Sequence, residues 1–398
     1  MQSGHTERTG EGSSMAKQNR GPYILAAGAG TQLLTGIPAA WGAFQRPVMQ
    51  GYGLSRGQAM LAFALLVASY GAGCAIGGLL QDRRGPRTAG LWGTALLAGG
   101  FLAGALVPPG NAPLFLLVYS LPAGVGSAFL APAVLSCAQK WYQNKKGWAT
   151  GVTGVAMGLS GAFYTLFVRL VGGRWGIRVC FAALGLLMLV VCGSGAALLQ
   201  DPPRSGRAAP LPGMSHKQML RTPQYKLCVA AVALSAPPVL LFSPEIYSIA
   251  TERGLPENLA PFSIVLGSAA SAAGRLLCPA GSDKLGRKRV LYGVYLGLAA
   301  GSIWFAFARD WWVLASYALL TFFYSGGAAV QPALNTDLFG LRHAGVNYGF
   351  IALGMSGGSL LSYIGSQALP LTARHWLAGG CALAGLFCVR LVKPVRES

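Results

Sequence analysis

The chain has 398 residues, of which 53% are hydrophobic, 57 are glycine and only 11% are charged. A soluble globular domain carries about a quarter charged residues, and mean hydropathy here is +0.49, so the composition excludes a soluble enzyme, a disordered chain and a small disulfide-bonded domain. The formal charge of +20, from 31 Lys and Arg against 11 Asp and Glu, fits either a nucleic-acid surface or the basic cytoplasmic loops of a membrane protein.

Residues 1–20 are polar and lack the apolar stretch of a cleavable signal, so 1–21 reads as a cytoplasmic tail. Apolar runs then follow at 22–43, 57–80, 88–107, 113–136, 148–168, 178–198, 226–247, 261–281, 289–308, 311–333, 345–366 and 377–393. Each is long enough to cross roughly 30 Å of hydrocarbon as a helix. No alternating pattern of strands is present, and a helix satisfies its own backbone in lipid. The expected fold is therefore an all-α membrane protein with twelve transmembrane helices. An even number of passes puts both termini on one side. The longest polar interruption, 200–225, is rich in Pro, Arg and Ser and reads as a cytoplasmic linker. It divides the chain into six-helix bundles at 22–199 and 226–393, with 394–398 as a second cytoplasmic tail.

The placement of the basic residues chooses between the two explanations of the charge. With the N-terminus inside, the inner segments hold Arg8, Lys17, Arg20, Arg83, Arg84, Arg87, Lys140, Lys145, Lys146, Arg204, Arg207, Lys217, Arg221, Lys226, Lys284, Arg287, Lys288, Arg289, Arg342, Arg390, Lys393 and Arg396. The outer segments hold Arg46, Arg56, Arg169, Arg174, Arg178, Arg253, Arg309 and Arg374. That is 22 against 8, with Arg275 left inside a span. The bias is the one that orients membrane proteins, and no nucleic-acid partner is expected. The eight cysteines form no CxxC pair and read as small apolar packing residues. Glycines four apart, as in Gly73/Gly77, Gly154/Gly158, Gly293/Gly297 and Gly297/Gly301, suit close helix packing in lipid.

The halves repeat each other. Asp82-Arg83-Arg84-Gly85-Pro86-Arg87 matches Asp283-Lys284-Leu285-Gly286-Arg287-Lys288, and Pro132, Gly147 and Gly151 match Pro332, Gly345 and Gly349, all about 200 positions on. Pro38 stands at the same interval before Pro237 and Pro238. A duplicated six-helix unit joined by a central loop resembles the major facilitator superfamily, which implies two pseudo-symmetric bundles with a substrate site near midplane between them. The stretch from Gly78 through Asp82, Arg83 and Gly85 to Arg87 resembles that superfamily's loop motif between helices 2 and 3, and Asp283, Lys284, Gly286 and Arg287 form a second copy. A carboxylate at a helix end can pair with basic groups or a facing helix terminus. These residues are therefore expected to clasp the halves at the inner face when the cavity opens outward.

Arg275 is the informative residue. A cation well inside a span costs about 2.5–3.5 kcal/mol on insertion scales, and no Asp or Glu lies in the middle of any span to offset it. Asp82, Asp283, Glu245 and Asp337 all stand at helix ends, the last beside Arg342 as an expected end pair. An interior guanidinium with no resident counter-ion is a site for a carboxylate from outside, which its planar fork matches bidentately. Ser271 stands one turn before it, on the same helix face. Tyr324 and Gln331 lie seven apart on one face, with Tyr317 seven before and Asn335 one turn after, and Tyr119 can donate from the other half.

The stretches MLRTPQ at 219–224, Arg275, NTDLFG at 335–340 and NYGF at 347–350 resemble the oxalate:formate antiporter family and its bacterial monocarboxylate-transporter relatives. The resemblance implies that Arg275 binds the substrate carboxylate. The oxalate-handling branch places a lysine where Met355 stands here, so the resemblance favours a monocarboxylate over a dicarboxylate. Animal monocarboxylate transporters carry an aspartate where Ser271 stands here, so no proton-relay carboxylate is carried over.

Catalytic motifs fail on context. Gly354-Met-Ser356-Gly-Gly358 has the nucleophile-elbow spacing but lies inside an apolar helix, and His5, His216, His343 and His375 are all in tails or loops. The 281–287 stretch lacks the ending of a phosphate loop. The chain is therefore expected to be a secondary carrier of a small monocarboxylate of the lactate, pyruvate or formate type, with a proton or counter-anion as coupling partner. It is expected to act in the lipid bilayer of the cell (inner) membrane, with cytoplasmic termini, as a functional monomer, without cofactor, metal or enzymatic activity. The alternatives are exchange of other organic anions such as oxalate and formate, export of amphiphilic drugs, or a non-transporting receptor. The short tails and linker argue against the receptor.

Overall fold

The computed structural model describes residues 21–142, 146–202, 213–340 and 342–394. Most of the tails, the middle of the linker and, with them, Arg8, Lys17, Arg20, Lys145, Arg204, Arg207, Arg396 and the side chain of Lys146 lie outside the described residues. Apart from one isolated bridge pair, Gly213 with Gly340, the regular structure among the described residues is helical.

The chain runs through α1 (Gly21–Thr35), α2 (Trp41–Tyr52), α3 (Arg56–Leu106), α4 (Ala112–Trp141), α5 (Trp148–Trp175), α6 (Ile177–Leu198), α7 (Pro223–Glu252), α8 (Phe262–Leu285), α9 (Arg287–Phe307), α10 (Trp311–Phe339), α11 (Ala344–Ile351), α12 (Leu353–Ala368) and α13 (Leu371–Leu391). Among the described residues, α3 to α10 are the eight helices long and apolar enough to cross a membrane. The expected first span is split into α1 and α2 by Gly36 and the 3-10 turn Ile37–Ala40, where Pro38 removes a backbone donor. The expected span 345–366 is likewise divided at Ala352.

The runs 57–80 and 88–107 lie within one 51-residue element, α3. At 1.5 Å per residue such a helix would measure about 76 Å, more than twice a bilayer, so it must reverse. It does so at Gly85, whose φ of 85° and ψ of 167° a side chain would strain. The contacts along α4 fix the sense of the two arms. Residues 66–77 meet α4 at 124–129 in ascending order, whereas residues 93–104 meet it at 130–119 in descending order. Gly286, the repeat partner of Gly85, turns the chain from α8 into α9 with φ 92° and ψ 142°. The repeated sequence thus builds the same backbone turn twice.

Each half has its own core. Trp41, Phe44, Tyr52, Phe101, Phe115, Tyr119, Tyr164 and Phe181 pack in the first, and Phe242, Tyr295, Leu298, Phe305 and Tyr317 in the second. Loop contacts define two faces. Lys140 pairs with Asp201 at 2.7 Å, Met214 N donates to Phe339 O at 2.8 Å and Lys288 Nζ donates to Val392 O at 2.7 Å on what is here called the basic face, which also holds both described chain ends. On the far face Gly110 N donates to Tyr52 O at 2.8 Å and Asp310 N to Arg253 O at 3.0 Å.

The halves meet along two seams. The first arm of α3 lies against α11 and α12, where Ser356 Oγ donates to Ala68 O at 2.6 Å and Ser359 Oγ to Ala64 O at 2.9 Å. Helix α5 lies against α8, so closely that a Cβ on Gly158 would fall 2.4 Å from Ala272 Cα. In lipid this close approach supplies dispersion contact where no hydrophobic effect draws helices together.

Candidate functional site

Helix α8 buries Gly267, Ser268, Ser271, Ala272, Gly274 and Cys278. These small residues let it lie between two neighbours. Ala272 meets Gly158 of α5, and a Cβ on Gly274 would strike Phe322 O of α10 at 2.2 Å. Arg275 is the one charged side chain of this stretch, and Gly154 of α5 leaves room beside its Cβ.

Its guanidinium makes no ion pair among the described residues, and its Nε is enclosed without a hydrogen-bond partner. Asp283, the acidic group at the end of its own helix, pairs with Arg287 and not with Arg275. The groups that interact with it electrostatically are the hydroxyls of Tyr70 on α3, Tyr324 on α10 and Tyr348 on α11. One comes from the first half and two from the second, and Tyr324 also packs against both cores. The site is therefore a cation in the electrostatic field of three tyrosines drawn from both halves. Phenol hydroxyls can donate to an anion that the guanidinium neutralises.

Tyr324 and Tyr348 also line a cavity in the second half with Val232, Val294, Gln331 and Met355. The space open to the centre of a water there is about 20 Å³, room for one small group. Gln331 is 5% exposed.

The remaining expected residues are placed as follows. Ser271 Oγ lies 2.7 Å from Ser325 Oγ, joining α8 to α10. Asn335 Nδ2 donates to Ala344 O at 3.0 Å, fixing the turn from α10 to α11, while its Oδ1 is buried without a partner. Tyr119 is not brought to Arg275. It lies in the core of the first half, stacked on Trp41 at 6.0 Å and edge-on to Phe101 at 5.1 Å. Sequence reasoning passed over Tyr70 and left the role of Tyr348 open. The available signal was a lone tyrosine in a run of small residues for the first, and the NYGF stretch for the second. In that stretch Asn347 Nδ2 holds the linker at Met214 O at 3.0 Å, Gly349 admits the backbone of Cys74 and Phe350 stacks on His216 at 5.7 Å.

The two loop motifs differ. Gly78 lies against the backbone of Gly345 and Val346, and Asp82 beyond it interacts with His343, Lys140 and His216. Since His343 belongs to the second half and His216 to the linker, the field of the first copy extends across the seam. Arg83, Arg84 and Arg87 are exposed. The second copy stays within its own half. Arg287 joins Asp283 to Asp337, the latter at 3.4 Å, and Lys284 is exposed. Asp337 is thereby paired with Arg287 where the sequence suggested Arg342, because the turn at Gly286 carries Arg287 over the end of α10.

On the far face lies a clasp that the sequence did not announce. Glu245, 4% exposed, sits between Arg56 of the first half and Arg374 of the second, the latter at 3.0 Å. Arg374 also donates to Leu369 O at 2.9 Å. Nearby Arg46 pairs with Glu257 at 3.3 Å and lies 4.4 Å from the Tyr247 ring centre. Seven of the eight cysteines are buried and all are free.

Comparison with known proteins places this arrangement in context. A sequence profile described as Major Facilitator Superfamily matches residues 25–392. The chain is 25% identical over 340 residues to the oxalate:formate antiporter of Oxalobacter formigenes, covering 83% of this chain and 80% of that one. It is 26% identical over 350 residues to the uncharacterized MFS-type transporter YhjX of Escherichia coli strain K12, covering 83% of each. Among solved structures, a D-xylose-proton symporter superposes with a TM-score of 0.69 at 16% identity, over 93% of this chain and 98% of that one. The transporter FucP in its outward conformation superposes with a TM-score of 0.67 at 14% identity, over 93% and 99%.

Proposed function

The chain belongs to the major facilitator superfamily, and from that premise we propose that it carries a small monocarboxylate of the lactate, pyruvate or formate type across the cell (inner) membrane by alternating access. The observation that carries this reading is Arg275, which lies where α8 meets α5 of the other half, with its Nε enclosed and unpartnered and no acidic partner among the described residues. Left empty, such a cation costs about 2.5–3.5 kcal/mol. A bound carboxylate offsets that cost with two parallel charge-assisted hydrogen bonds. Tyr70 of the first half and Tyr324 and Tyr348 of the second then gain a common acceptor, so occupancy favours the closed arrangement over either open one.

The basic face is the cytoplasmic one in this proposal, as its excess of Lys and Arg requires. A single carboxylate is favoured because Met355 stands where the oxalate-handling branch has a lysine, and the cavity that Met355 lines with Tyr324 and Tyr348 presents no cation. With Ser271 bonded to Ser325, the translocated charge is balanced by a proton moving with the acid or by a second anion moving the other way. The likeness to a protein named as an oxalate:formate antiporter favours exchange, and a dicarboxylate such as oxalate is the second reading.

Uptake of labelled lactate into proteoliposomes tests the proposal. Saturable uptake is expected, and Arg275→Lys is expected to lower it at least tenfold, since the charge remains but the planar fork is lost. Normal uptake by Arg275→Lys or Arg275→Ala would defeat the assignment. The same assay after a pH jump separates the couplings, for uptake driven by inward acidification marks proton symport and uptake that needs a trapped internal anion marks exchange.

A further inference from the structure

We infer that the far face carries an acid-sensitive latch. His375 holds the start of α13 in its closed place only while the imidazole is neutral, and a proton taken up from the far side releases it together with the Arg374–Glu245–Arg56 chain. This device does not depend on which acid is carried.

His375 precedes the apolar run 377–393 and stands near the start of α13, where the sequence suggested a loop. It is 2% exposed, stacked on Phe242 at 4.5 Å and edge-on to Phe305 at 5.4 Å. Arg253, just past the end of α7, approaches its Nε2 to 2.9 Å. A guanidinium only donates, so Nε2 is bare and the ring is neutral, with its proton on Nδ1. That Nδ1 is enclosed without a partner, so one hydrogen bond and two ring contacts hold the imidazole in its slot. A second proton would set an imidazolium against the guanidinium in a space shut off from water. Arg253 is fixed there, since it also donates to Phe305 O and its own carbonyl accepts from Asp310 N at 3.0 Å. No carboxylate bonds the ring: Glu245 is engaged with Arg374 and Arg56, while Glu252 and Arg309 act on Arg253. Burial, with Arg253 and then Arg374 beside it, pushes the imidazole down to about 4. Arg374 is the neighbouring residue in the chain, and it holds Glu245 at 3.0 Å and Leu369 O at 2.9 Å. A ring driven from its slot therefore turns the first turn of α13, and with it the group that steadies Glu245 against Arg56 of the first half. A hydrated imidazole titrates near 6.5, so the released ring binds the proton more tightly than the enclosed one, and acid favours release. The latch is whole above about pH 6.5 and is lost as the pH falls toward about 4.

Spin labels on cysteines placed at 109 in the first half and 258 in the second test this on the purified chain, with no substrate present. In the otherwise wild-type chain, lowering the pH from about 7 to about 4 is expected to lengthen the distance between them, with a midpoint below the free imidazole's value of about 6.5. His375→Gln, whose amide oxygen still accepts from Arg253 but takes up no proton, is expected to keep the short distance throughout. Arg253→Gln, which offers an oxygen to a charged ring, is expected to keep it too. A distance that ignores pH in the wild-type chain would overturn the inference. So would a shift of equal size in either glutamine variant, which would assign the response to carboxylates. If His375→Gln does not fold, Arg253→Gln decides; if neither folds, the wild-type midpoint does, and a value above about 6.5 counts against the latch.

Discussion

Arg275 stands out in the sequence because a charge in an apolar run is conspicuous, and the structure leaves it as exceptional as the sequence does. The phenols around it had no such contrast. A tyrosine in a span is as readily a core ring as a ligand, and only the rotation of each helix separates the cases. Tyr119 points into the Trp41 and Phe181 core, while Tyr70 acts electrostatically on the guanidinium. Each phenol at the site is expected to bond a bound anion, and hydrogen bonds to charged groups contribute about 1.5–3 kcal/mol. Tyr348→Phe and Tyr324→Phe should therefore raise the lactate KM about tenfold in proteoliposomes. Tyr119→Phe should leave it unchanged, because that hydroxyl has no partner to lose.

The helices were largely legible as runs of suitable length, and their interruptions were not. Pro38 in the first span gave a local hint, but the division at Ala352 follows from how α11 and α12 lie against the first arm of α3, a tertiary demand that propensity does not encode. The reversal inside α3 was anticipated as a loop, because the charged stretch Asp82 to Arg87 separates two apolar runs and resembles a family loop motif. The Gly154/Gly158 pair was legible as a packing device, and the structure identifies its counterpart as α8. A leucine at 158 would have to displace the Ala272 backbone, since interiors this close-packed do not absorb an added side chain without strain. Gly158→Leu is expected to reach the membrane yet lose transport, because the wedge keeps α5 from closing on the arginine helix. Wild-type uptake by that variant would show that the seam opens wider than its resting contact.

The halves touch near both faces, by different means. On the basic face Gly78 lies against the backbone of Gly345 and Val346, and Asp82 lies in the electrostatic field of His343 and Lys140. Asp82→Asn is expected to loosen that side, seen as longer distances between spin labels at 79 and 345. On the far face the closure is ionic. Removing Glu245 strands Arg374, and breaking a buried pair costs about 3–5 kcal/mol, so Glu245→Gln should lower the melting temperature and open that face to a thiol reagent aimed at a cysteine placed at 60. Sequence reading found the Asp82 motif because a family pattern marks it. It missed the Glu245 cluster because its members, at 56, 245 and 374, are scattered and follow no spacing.

The uneven exposure of that far cluster has a consequence for how the carrier works in different waters. Arg56 is 64% exposed and Glu245 only 3%, while Arg374 remains on the same half as the carboxylate. When the halves separate, the buried acid keeps one partner and the guanidinium that departs is already hydrated, so the latch releases without stranding a charge. Dissolved ions screen such a rim contact far more than an enclosed one. High ionic strength on the far face should therefore hasten release and low ionic strength slow it, coupling the pace of the carrier to the salt content of the compartment that face meets.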